Sequence, residues 1–300
     1  MENIKISKVC GFCAGCKRAF DKTNEHLQNG KNVTLFKEIV HNTNVNNFLK
    51  EKGVVFCDSL SELPNNSTII IRAHGEPKST FEYFKSHGLT FEDCTCPNVE
   101  KIHQLVQEHS QIHHKIIIVG KYGKHSGKIH PEIVGTIGWC ETEPILIEDE
   151  EDLSKLEGFS NETFYLVCQT TFNAKKADIL IEKATNILKN NTLIVNKSIC
   201  NAQKQINEFS KQLAEESDLM IVVGGKNSSN SIELYNNLKQ IKPSLFIENI
   251  FDWKKEHERE NLTISKNTKI GLTAGASTMK SELETLKQLI TKHLLEKKLK

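Results

Sequence analysis

The sequence predicts an α/β protein made of three similar α/β units with parallel-type sheets. Short apolar runs such as residues 115–119 and 219–223 alternate with helical patterns such as residues 98–109. This alternation is typical of parallel sheets. The same order of helix, strand and polar loop returns three times along the 300 residues, which indicates a repeat architecture.

The first unit is expected to span residues 14–96. Its elements are a helix at 14–28, a strand at 33–39, a helix at 45–52, strands at 54–56 and 68–72, a helix at 78–87 and a final strand that ends at Cys96. Apolar positions three or four residues apart mark the helices, and β-branched runs mark the strands.

The second and third units repeat this order. For residues 97–200 we expect a helix at 98–109, strands at 115–119, 145–147 and 164–167, a helix at 174–189 and a strand before Cys200. The third unit joins residues 201–300 to residues 1–13. It has strands at 219–223, 245–247 and 269–272, a polar loop at 224–230 and a long terminal helix, and the run at 4–9 is expected to supply its missing last strand. The stretch 253–266 is the most polar, and we expect it to be exposed.

The charge balance excludes some classes of partner. Lys and Arg number 39 against 38 Asp and Glu, a formal charge of +1, so no nucleic-acid partner is expected. No run reaches the length of a membrane span or of a signal peptide core, so we expect no membrane partner and a cytoplasmic location. In a reducing compartment, the nine cysteines are first read as ligands, catalytic thiols or core residues.

Three cysteines occupy the same place in the repeat. Cys13, Cys96 and Cys200 each follow a short apolar run and precede a helical pattern. A single cysteine is more often a small buried residue than a ligand, but the shared position indicates one metal site. Such thiolates suit either zinc, which in a closed site needs a fourth ligand, or an iron–sulfur cluster. The remaining cysteines in or beside strands are interpreted as core or incidental residues: Cys57, Cys94, Cys140 and Cys168.

The polar loops after the strands favour an anion site. Ligands of parallel sheets lie at the carboxyl ends of the strands, and the loops there carry imidazole, hydroxyl and amide side chains. These groups suit a phosphate or diphosphate. Glu132 is the only carboxylate in the conspicuous polar loops, and such a carboxylate is a natural proton donor if its pKa is raised. A lone histidine, however, is more often a surface residue than a ligand.

The run Cys10-x-x-Cys13-x-x-Cys16 begins like the cluster-binding run of bacterial ferredoxins. A ferredoxin needs its fourth cysteine close by, whereas Cys96 lies about eighty residues further on. A ferredoxin module would also leave the other two repeat units unexplained. We therefore expect Cys10 and Cys16 to be bystanders.

Nine short motifs, in order over nearly the whole chain, resemble those of the 4-hydroxy-3-methylbut-2-enyl diphosphate reductase family, the LytB family. They are Gly11-Phe-Cys-Ala-Gly15, Glu38-Ile-Val-His-Asn42, Ala73-His-Gly75, Thr95-Cys-Pro97, His130-Pro-Glu132, Gln169-Thr-Thr171, Ser198-Ile-Cys200, Lys226-Asn-Ser-Ser-Asn230 and Thr273-Ala-Gly-Ala-Ser277. The resemblance implies a pseudo-threefold trefoil around one central [4Fe–4S] cluster with one open iron. It also implies the last step of the non-mevalonate isoprenoid route, which gives isopentenyl and dimethylallyl diphosphate. The implied electron donor is a reduced ferredoxin or flavodoxin.

The resemblance assigns a role to each matching residue. It implies that Cys13, Cys96 and Cys200 are the cluster ligands. Glu132 corresponds to the acid that delivers a proton, and Thr170 to a residue whose hydroxyl contacts the substrate oxygen. His130 corresponds to a residue that takes part in both catalysis and substrate binding. The residues expected to bind the allylic diphosphate are His41, His74, His130, Thr170, Ser228, Ser229, Asn230 and Ser277.

Two departures from the family pattern concern the surroundings of these residues. The family usually has an apolar residue where this chain has Cys16, and a shorter stretch where this chain has residues 120–129. That stretch holds three glycines and three lysines, which suits either a lid or a tolerated insertion. Two rival functions also stay open: an aconitase-like hydro-lyase, which needs no net electron flow, and an iron–sulfur sensor or carrier.

Overall fold

Three four-stranded parallel sheets form the framework of the chain. The computed structural model describes residues 3–40, 42–226, 228–259, 264–265 and 267–296, without the side chains of residues 229, 256, 257 and 259. The central strands of the sheets are almost continuous runs of buried β-branched and apolar residues. Such runs suit parallel sheets because both faces of the sheet are covered. No helix among the described residues is long and apolar enough to cross a bilayer.

The strands and helices have the following bounds. The strands are β1 (Ile4–Ile6), β2 (Val33–Phe36), β3 (Val55–Cys57), β4 (Thr68–Ile71), β5 (Phe91–Asp93), β6 (Lys115–Val119), β7 (Ile145–Ile147), β8 (Thr163–Cys168), β9 (Thr192–Asn196), β10 (Leu219–Val223), β11 (Ser244–Ile247) and β12 (Ile270–Ala274). The helices are α1 (Ala14–Gln28), α2 (Thr43–Glu51), α3 (Lys78–Ser86), α4 (Pro97–Gln111), α5 (Pro131–Ile137), α6 (Ala174–Ile187), α7 (Ala202–Glu215), α8 (Ser229–Lys239), α9 (Trp253–Arg259) and α10 (Lys280–Glu296).

The chain divides into two compact bodies. The first body comprises Met1–Phe20, Glu38–Val54 and Asn201–Lys300, and the second comprises Asp21–Lys37 and Val55–Cys200. The prediction of an α/β protein with three parallel-sheet units is confirmed by the three sheets. The domain boundaries at residues 96 and 200 stay a prediction.

The first body holds one sheet, in the order β1-β12-β10-β11. Strand β1 pairs in parallel with β12, with Ile4 opposite Ile270 and Ile6 opposite Leu272. The amino-terminal run therefore completes the third sheet, as the sequence predicts, although the strand is shorter than residues 4–9. Helix α10 packs its buried face, which includes Leu283 and Ile290, into the core of this sheet.

The second body holds two sheets that repeat one strand order. One sheet is ordered β3-β2-β4-β5 and the other β7-β6-β8-β9. In each, the first strand of the sequence lies second in the sheet, and every neighbour is parallel. The carboxyl ends of the four strands of each sheet therefore lie at one edge, where the turns that carry the predicted site residues begin.

Two expectations in the third unit hold only in part. The described residues 224–226 and 228 are loop as expected, but α8 already begins at Ser229, where the Ser228 side chain accepts a hydrogen bond from the N–H of Ser231 at 3.4 Å. In the stretch 253–266, Lys254, Lys255 and Ser265 are exposed as expected, but Trp253 is only 2% exposed and begins α9. Its indole packs in the core of the first sheet, where burial of an aromatic ring outweighs the polarity of its neighbours in sequence.

The loop between β6 and α5 is tied to the segment that follows β7. The N–H groups of Gly123 and Lys124 both donate to Oε2 of Glu148, at 3.0 and 3.2 Å, and this glutamate is only 8% exposed. The Lys124 ammonium donates to Asp149 Oδ1 at 2.6 Å, and the Tyr122 hydroxyl donates to Asp152 Oδ1 at 2.6 Å. Because buried carboxylates that accept backbone N–H groups make strong, directional hydrogen bonds, these contacts define one loop conformation. A lid motion of residues 120–129 stays a prediction.

Hydrogen exchange tests whether this carboxylate holds the loop. We expect slow exchange of the Gly123 and Lys124 amides without any ligand. In Glu148→Ala both amides lose their acceptor, so their exchange should accelerate by roughly tenfold or more, because a lost hydrogen bond to a charged group costs about 1.5–3 kcal/mol. The matched control is Glu151→Ala, which removes an exposed ion pair to Lys124 and should change little. Equal acceleration in both variants would contradict the role of Glu148.

Candidate active site

The three predicted ligand cysteines stand at helix starts. Cys13 directly precedes α1, Cys96 is the N-cap residue of α4, and Cys200 lies two residues before α7. All three are half-buried, and none of these three described cysteines forms a disulfide bond. The N-terminus of a helix favours negative charge, so these positions favour the thiolate form that binds metals.

The pKa values separate Cys13 from several other thiols. The Cys16 side chain donates a hydrogen bond that, with N–H groups at the start of α1, lowers the pKa of Cys13 to about 6 against the opposing effect of burial. Burial raises the pKa of Cys10 to about 11 and that of Cys140 and Cys168 to about 12. Cys13 therefore favours ligation, whereas the other three stay protonated at neutral pH. Cys16 is the neighbour that stabilises the Cys13 thiolate.

Three of the remaining thiols are engaged with the backbone. Cys10 donates to the carbonyl of Ser7 at 3.2 Å and Cys57 to the carbonyl of Ser59 at 3.1 Å. Cys140 contacts the carbonyl oxygen of Thr136 at 3.5 Å. A thiol that donates a hydrogen bond holds its proton, so these cysteines act as small core residues.

The donor set of Cys13, Cys96 and Cys200 fits an iron–sulfur cluster. Among the described residues, no group of three or more His, Cys, Asp or Glu side chains is arranged to hold a single metal ion. A cluster makes a different demand, because each cysteine binds a different iron and soft thiolates are its preferred ligands. Each of these cysteines is half-buried at a helix start and offers a ligand of this chemical type.

In the second body, the turns with the predicted polar residues lie beside two of these cysteines. The N–H of Cys200 donates to the carbonyl of Thr170 at 2.8 Å, and the N–H of Cys96 donates to the carbonyl of Ala73 at 3.0 Å. Ala73 precedes His74, whose ring packs edge-on against that of His130, with ring centres 5.4 Å apart. The structure thus brings Cys96, Cys200, His74, His130, Glu132 and Thr170 to neighbouring turns of one body.

Glu132 is buried and held by a single residue. Its side chain is 1% exposed in the first turn of α5. The N–H of Thr170 donates to Oε1 at 2.5 Å, and the Thr170 hydroxyl donates to Oε2 at 2.7 Å. Burial raises the pKa of Glu132 to about 7, and the two hydrogen bonds from Thr170 partly oppose that rise. At neutral pH the carboxyl group is therefore poised between its two forms, as a general acid requires.

His130 is oriented by the helix that it begins. It is the N-cap residue of α5, and its Nδ1 accepts a hydrogen bond from the N–H of Glu132 at 3.2 Å. An Nδ1 that accepts has no proton, so in the neutral ring Nε2 carries it and is a donor. One short helix therefore orients both an imidazole donor and a carboxylic acid.

In the first body, hydroxyl groups converge near the start of α8. The hydroxyl of Ser277 lies 3.3 Å from that of Ser228, and the side chain of Asn42 donates to the carbonyl of Ser277 at 3.0 Å. The N–H of Phe12 donates to the carbonyl of Thr278 at 2.9 Å, which brings the segment that carries Cys13 to the same turn. Hydroxyl groups beside a helix N-terminus suit an anion, which agrees with the role predicted for this loop.

Three predicted residues have less structural support. His41 lies outside the described residues, as does the side chain of Ser229. Asn230 is half-buried in the first turn of α8. The roles of all predicted site residues stay predictions.

Sequence analysis counted Asn42 among the polar loop residues suited to an anion, but assigned it no role in the predicted site. Asn42 is the N-cap of α2, where its side chain accepts from the N–H of Asn44 at 3.0 Å, and it also holds the turn of Ser277. The signal was available, because an asparagine directly before a helical pattern predicts an N-cap. Its second contact depends on tertiary structure.

The Thr170 hydroxyl offers a test of the acid. In Thr170→Val the carboxylate loses a donor while keeping the backbone N–H, so the pKa of Glu132 should rise further above 7. The carboxyl C=O band in pH-dependent infrared difference spectra reports this titration, and Glu132→Gln removes the band and assigns it. A downward shift in Thr170→Val, or none, would contradict the hydrogen-bond geometry.

Known proteins are similar to this chain in both sequence and fold. The sequence model of the LytB protein family matches residues 4–291. A 4-hydroxy-3-methylbut-2-enyl diphosphate reductase of Clostridioides difficile is 34% identical over 92% of this chain and 94% of its own length. That of Helicobacter pylori is 33% identical over 96% and 98%.

Two solved structures are similar. One is described as (E)-4-hydroxy-3-methyl-but-2-enyl diphosphate reductase, the terminal enzyme of the non-mevalonate pathway. It has a TM-score of 0.76, is 32% identical and covers 96% of this chain and 99% of its own. The reductase structure from Plasmodium falciparum has a TM-score of 0.78, is 27% identical and covers 96% of this chain and 87% of its own. The chain therefore belongs to the LytB family, an oxidoreductase family whose relatives are named 4-hydroxy-3-methylbut-2-enyl diphosphate reductases.

Proposed function

We propose that this chain reductively removes the hydroxyl group of 4-hydroxy-3-methylbut-2-enyl diphosphate and forms isopentenyl and dimethylallyl diphosphate. The reaction consumes two electrons and two protons, replaces a C–O bond by a C–H bond and releases water. The observation that carries the proposal is the buried Glu132–Thr170 pair, because hydroxide is a poor leaving group that needs a proton as the C–O bond breaks. The names of the relatives supply the substrate.

We assign Cys13, Cys96 and Cys200 as ligands of one [4Fe–4S] cluster. Their thiols stand at helix starts, and the pKa of Cys13 is lowered by Cys16 and nearby N–H groups. When bound, such a cluster would supply electrons singly and an open iron as a Lewis acid for the leaving oxygen. We infer a reduced ferredoxin or flavodoxin as the electron donor. A cytoplasmic location is consistent with thiolates kept reduced.

The diphosphate would be bound by neutral donors rather than by a ring of lysines. In the first body, the hydroxyl groups of Ser228 and Ser277 lie together at the start of α8. In the second body, the His74 and His130 rings adjoin, and the His130 Nε2 proton is a donor. We assign these residues, with His41, Ser229 and Asn230, to diphosphate binding. The N–H groups of the first turn of α8 would add to the favourable field.

Glu132 would hold the proton until the leaving oxygen takes it. Burial keeps part of the carboxyl population protonated at pH 7, and the Thr170 hydroxyl at 2.7 Å from Oε2 lies on the path from the carboxyl group. We assign Thr170 to contact the substrate oxygen and to pass on the proton of Glu132, with His130 as a nearby donor. Because Glu132 is 1% exposed, bulk water does not compete for this proton.

One anaerobic assay separates this function from its rivals. A reductase oxidises a reduced one-electron dye in proportion to substrate, two electrons for each molecule, and gives the two C5 diphosphates. A hydro-lyase consumes no electrons, and a sensor or carrier needs no diphosphate. Iron and sulfide are measured in the same preparation. Conversion of the substrate without oxidation of the dye would exclude the reductase function.

The acid variant tests the role of Glu132. Glu132→Gln keeps the size of the side chain but carries no carboxyl proton, so turnover should fall by roughly a hundredfold or more, the usual range for a positioned acid. Iron content and substrate binding should be retained. Glu151→Gln, at an exposed position, serves as the control with normal turnover. Turnover near normal in Glu132→Gln would remove this residue from the mechanism.

The cysteine variants test the ligand set. Serine in place of Cys13, Cys96 or Cys200 should remove iron and sulfide together with activity, because a hydroxyl is a poor cluster ligand. Cys10→Ser is the matched control, since its thiol donates to a carbonyl, and Cys16→Ser keeps a donor to Cys13. Both should retain the cluster. Loss of iron in Cys16→Ser, with retention in Cys200→Ser, would favour the ferredoxin-like run instead.

A further inference from the structure

A buried histidine fills the space between two glycines of the second body. His103, on α4, is only 3% exposed. A Cβ placed on Gly75 would lie 2.6 Å from its Cε1, and a Cβ placed on Gly135 would lie 3.2 Å from its Nε2. Real Cβ atoms essentially never approach as closely as the first distance. The imidazole therefore occupies the volume that side chains at both glycines would need.

The two glycines belong to the segments that carry predicted site residues. Gly75 directly follows His74 and has a φ of +71°, a conformation that glycine adopts most easily. Gly135 lies in α5, three residues after Glu132. It meets the Gly75 turn directly, since its Cβ would be 3.5 Å from the Gly75 carbonyl carbon and oxygen. His103 thus contacts both segments at the point where they touch.

A second set of contacts holds the same junction. The Trp139 indole stacks on the His103 ring, with ring centres 5.4 Å apart and an interplanar angle of 17°, and its Nε1 donates to the carbonyl of Glu76 at 3.0 Å. The end of α5 is equally close, because a Cβ on Gly138 would lie 2.4 Å from that of Pro77. The ring of His103 therefore forms one side of the tightly packed junction between α5 and the turn that contains Gly75.

The ring acts through its shape and not through its charge. Burial lowers the pKa of His103 to about 4, so the imidazole is neutral at physiological pH. Its Nε2 makes no hydrogen bond to the described residues. A buried polar atom without a partner is costly, so this cost calls for a compensating role. The van der Waals packing of the ring against both glycines is such a compensating role.

We propose that His103 is a positioning residue, whose ring sets the distance between the α5 segment with Glu132 and the turn with His74. The proposal rests on the proposed reductase function, in which both segments act on one substrate. Because α4 begins directly after Cys96, the same helix also ties this distance to a proposed cluster ligand. Displacement of α5 moves Glu132, together with His130 at the start of the helix, relative to His74 without removing any of these side chains.

Gly135→Ala tests this spacing by adding one methyl group. The methyl carbon would lie 3.2 Å from Nε2, so α5 has to move by a few tenths of an ångström. We expect kcat to fall roughly tenfold with KM little changed, since 1 Å of misplacement can cost about a hundredfold. Alanine is also the better helix former, so a weakened helix does not explain the loss. The matched control is Val134→Ala on the exposed face of the same helix, with normal kcat.

Rescue by a second substitution distinguishes positioning from general damage. His103→Asn keeps the inner part of the side chain and removes the Cε1 and Nε2 atoms that face the glycines. Alone it should lower kcat, because the space between the two glycines is no longer filled. Combined with Gly135→Ala, the new methyl group occupies part of that space, and kcat should exceed that of either single variant. In the double variant, the pH titration of the Glu132 carboxyl group should also return toward that of the unmodified protein.

Thermal unfolding of the same four proteins gives a readout without turnover. The effects of the two substitutions on the unfolding temperature should be non-additive, as expected for residues in contact. A double variant slower than either single variant, or normal turnover in Gly135→Ala, would overturn the positioning role. Absence of reductase activity in the unmodified protein, with the thermal coupling intact, would instead reject the proposed function and leave the contact established.

Discussion

The arrangement of the second body depends on the burial of one carboxyl group. Glu132 lies at the start of α5, 1% exposed, and both of its oxygens accept hydrogen bonds from Thr170. Burial of a carboxylate is costly unless it is neutralised or fully hydrogen-bonded. The fold meets this demand with two donors from the turn after β8, and that requirement fixes α5 against the turn. His130 is oriented as a consequence, because the N–H of Glu132 donates to its Nδ1.

The parallel sheets explain why the candidate site residues of the second body lie on turns of one kind, those that follow the strands. In each sheet of the second body, all strands end at one edge, and the turns there expose N–H groups and begin helices. Cys96 and Cys200 are each tied through a backbone N–H to a neighbouring turn of this kind, at Ala73 and Thr170. Position in the repeat thus determines which cysteine is a candidate ligand, and solvent exposure and hydrogen bonding separate it from the buried thiols.

Much of this arrangement was predictable from the sequence. Strands β6 and β10 have the bounds that their β-branched runs indicated, because a continuous apolar run suits a strand covered on both faces. The positions of Cys13, Cys96 and Cys200 at strand-to-helix junctions also follow from local pattern. Motifs that resemble a known family added predicted roles for Glu132 and Thr170, and the structure shows that these two residues are in contact.

Other features depend on contacts that no local pattern contains. The first two residues of helix α8 lie in a polar Ser-Asn-Ser run and were expected to be loop, whereas the contacts of the helix with the core come from Leu234 and Leu238 further along. Trp253 stands in a polar stretch, and its burial depends on residues distant in sequence. His103 looked like one more helical position. Its contact with Gly75 and Gly135 emerges only when segments sixty residues apart are brought together.

The burial of Glu132 and His103 also has a consequence for the pH dependence of folding. The pKa of Glu132 rises from 4.5 in the unfolded chain to about 7, so its contribution to stability is full below pH 4.5 and is lost as the pH rises to 7. The pKa of His103 falls from 6.5 to about 4, so its contribution is full above pH 6.5 and is lost as the pH falls to 4. Each change amounts to about 3 kcal/mol, and between pH 4.5 and 6.5 the two slopes cancel. Unfolding in that range releases a proton from the carboxyl group and adds one to the imidazole, so the two residues have opposite effects on the pH dependence of stability.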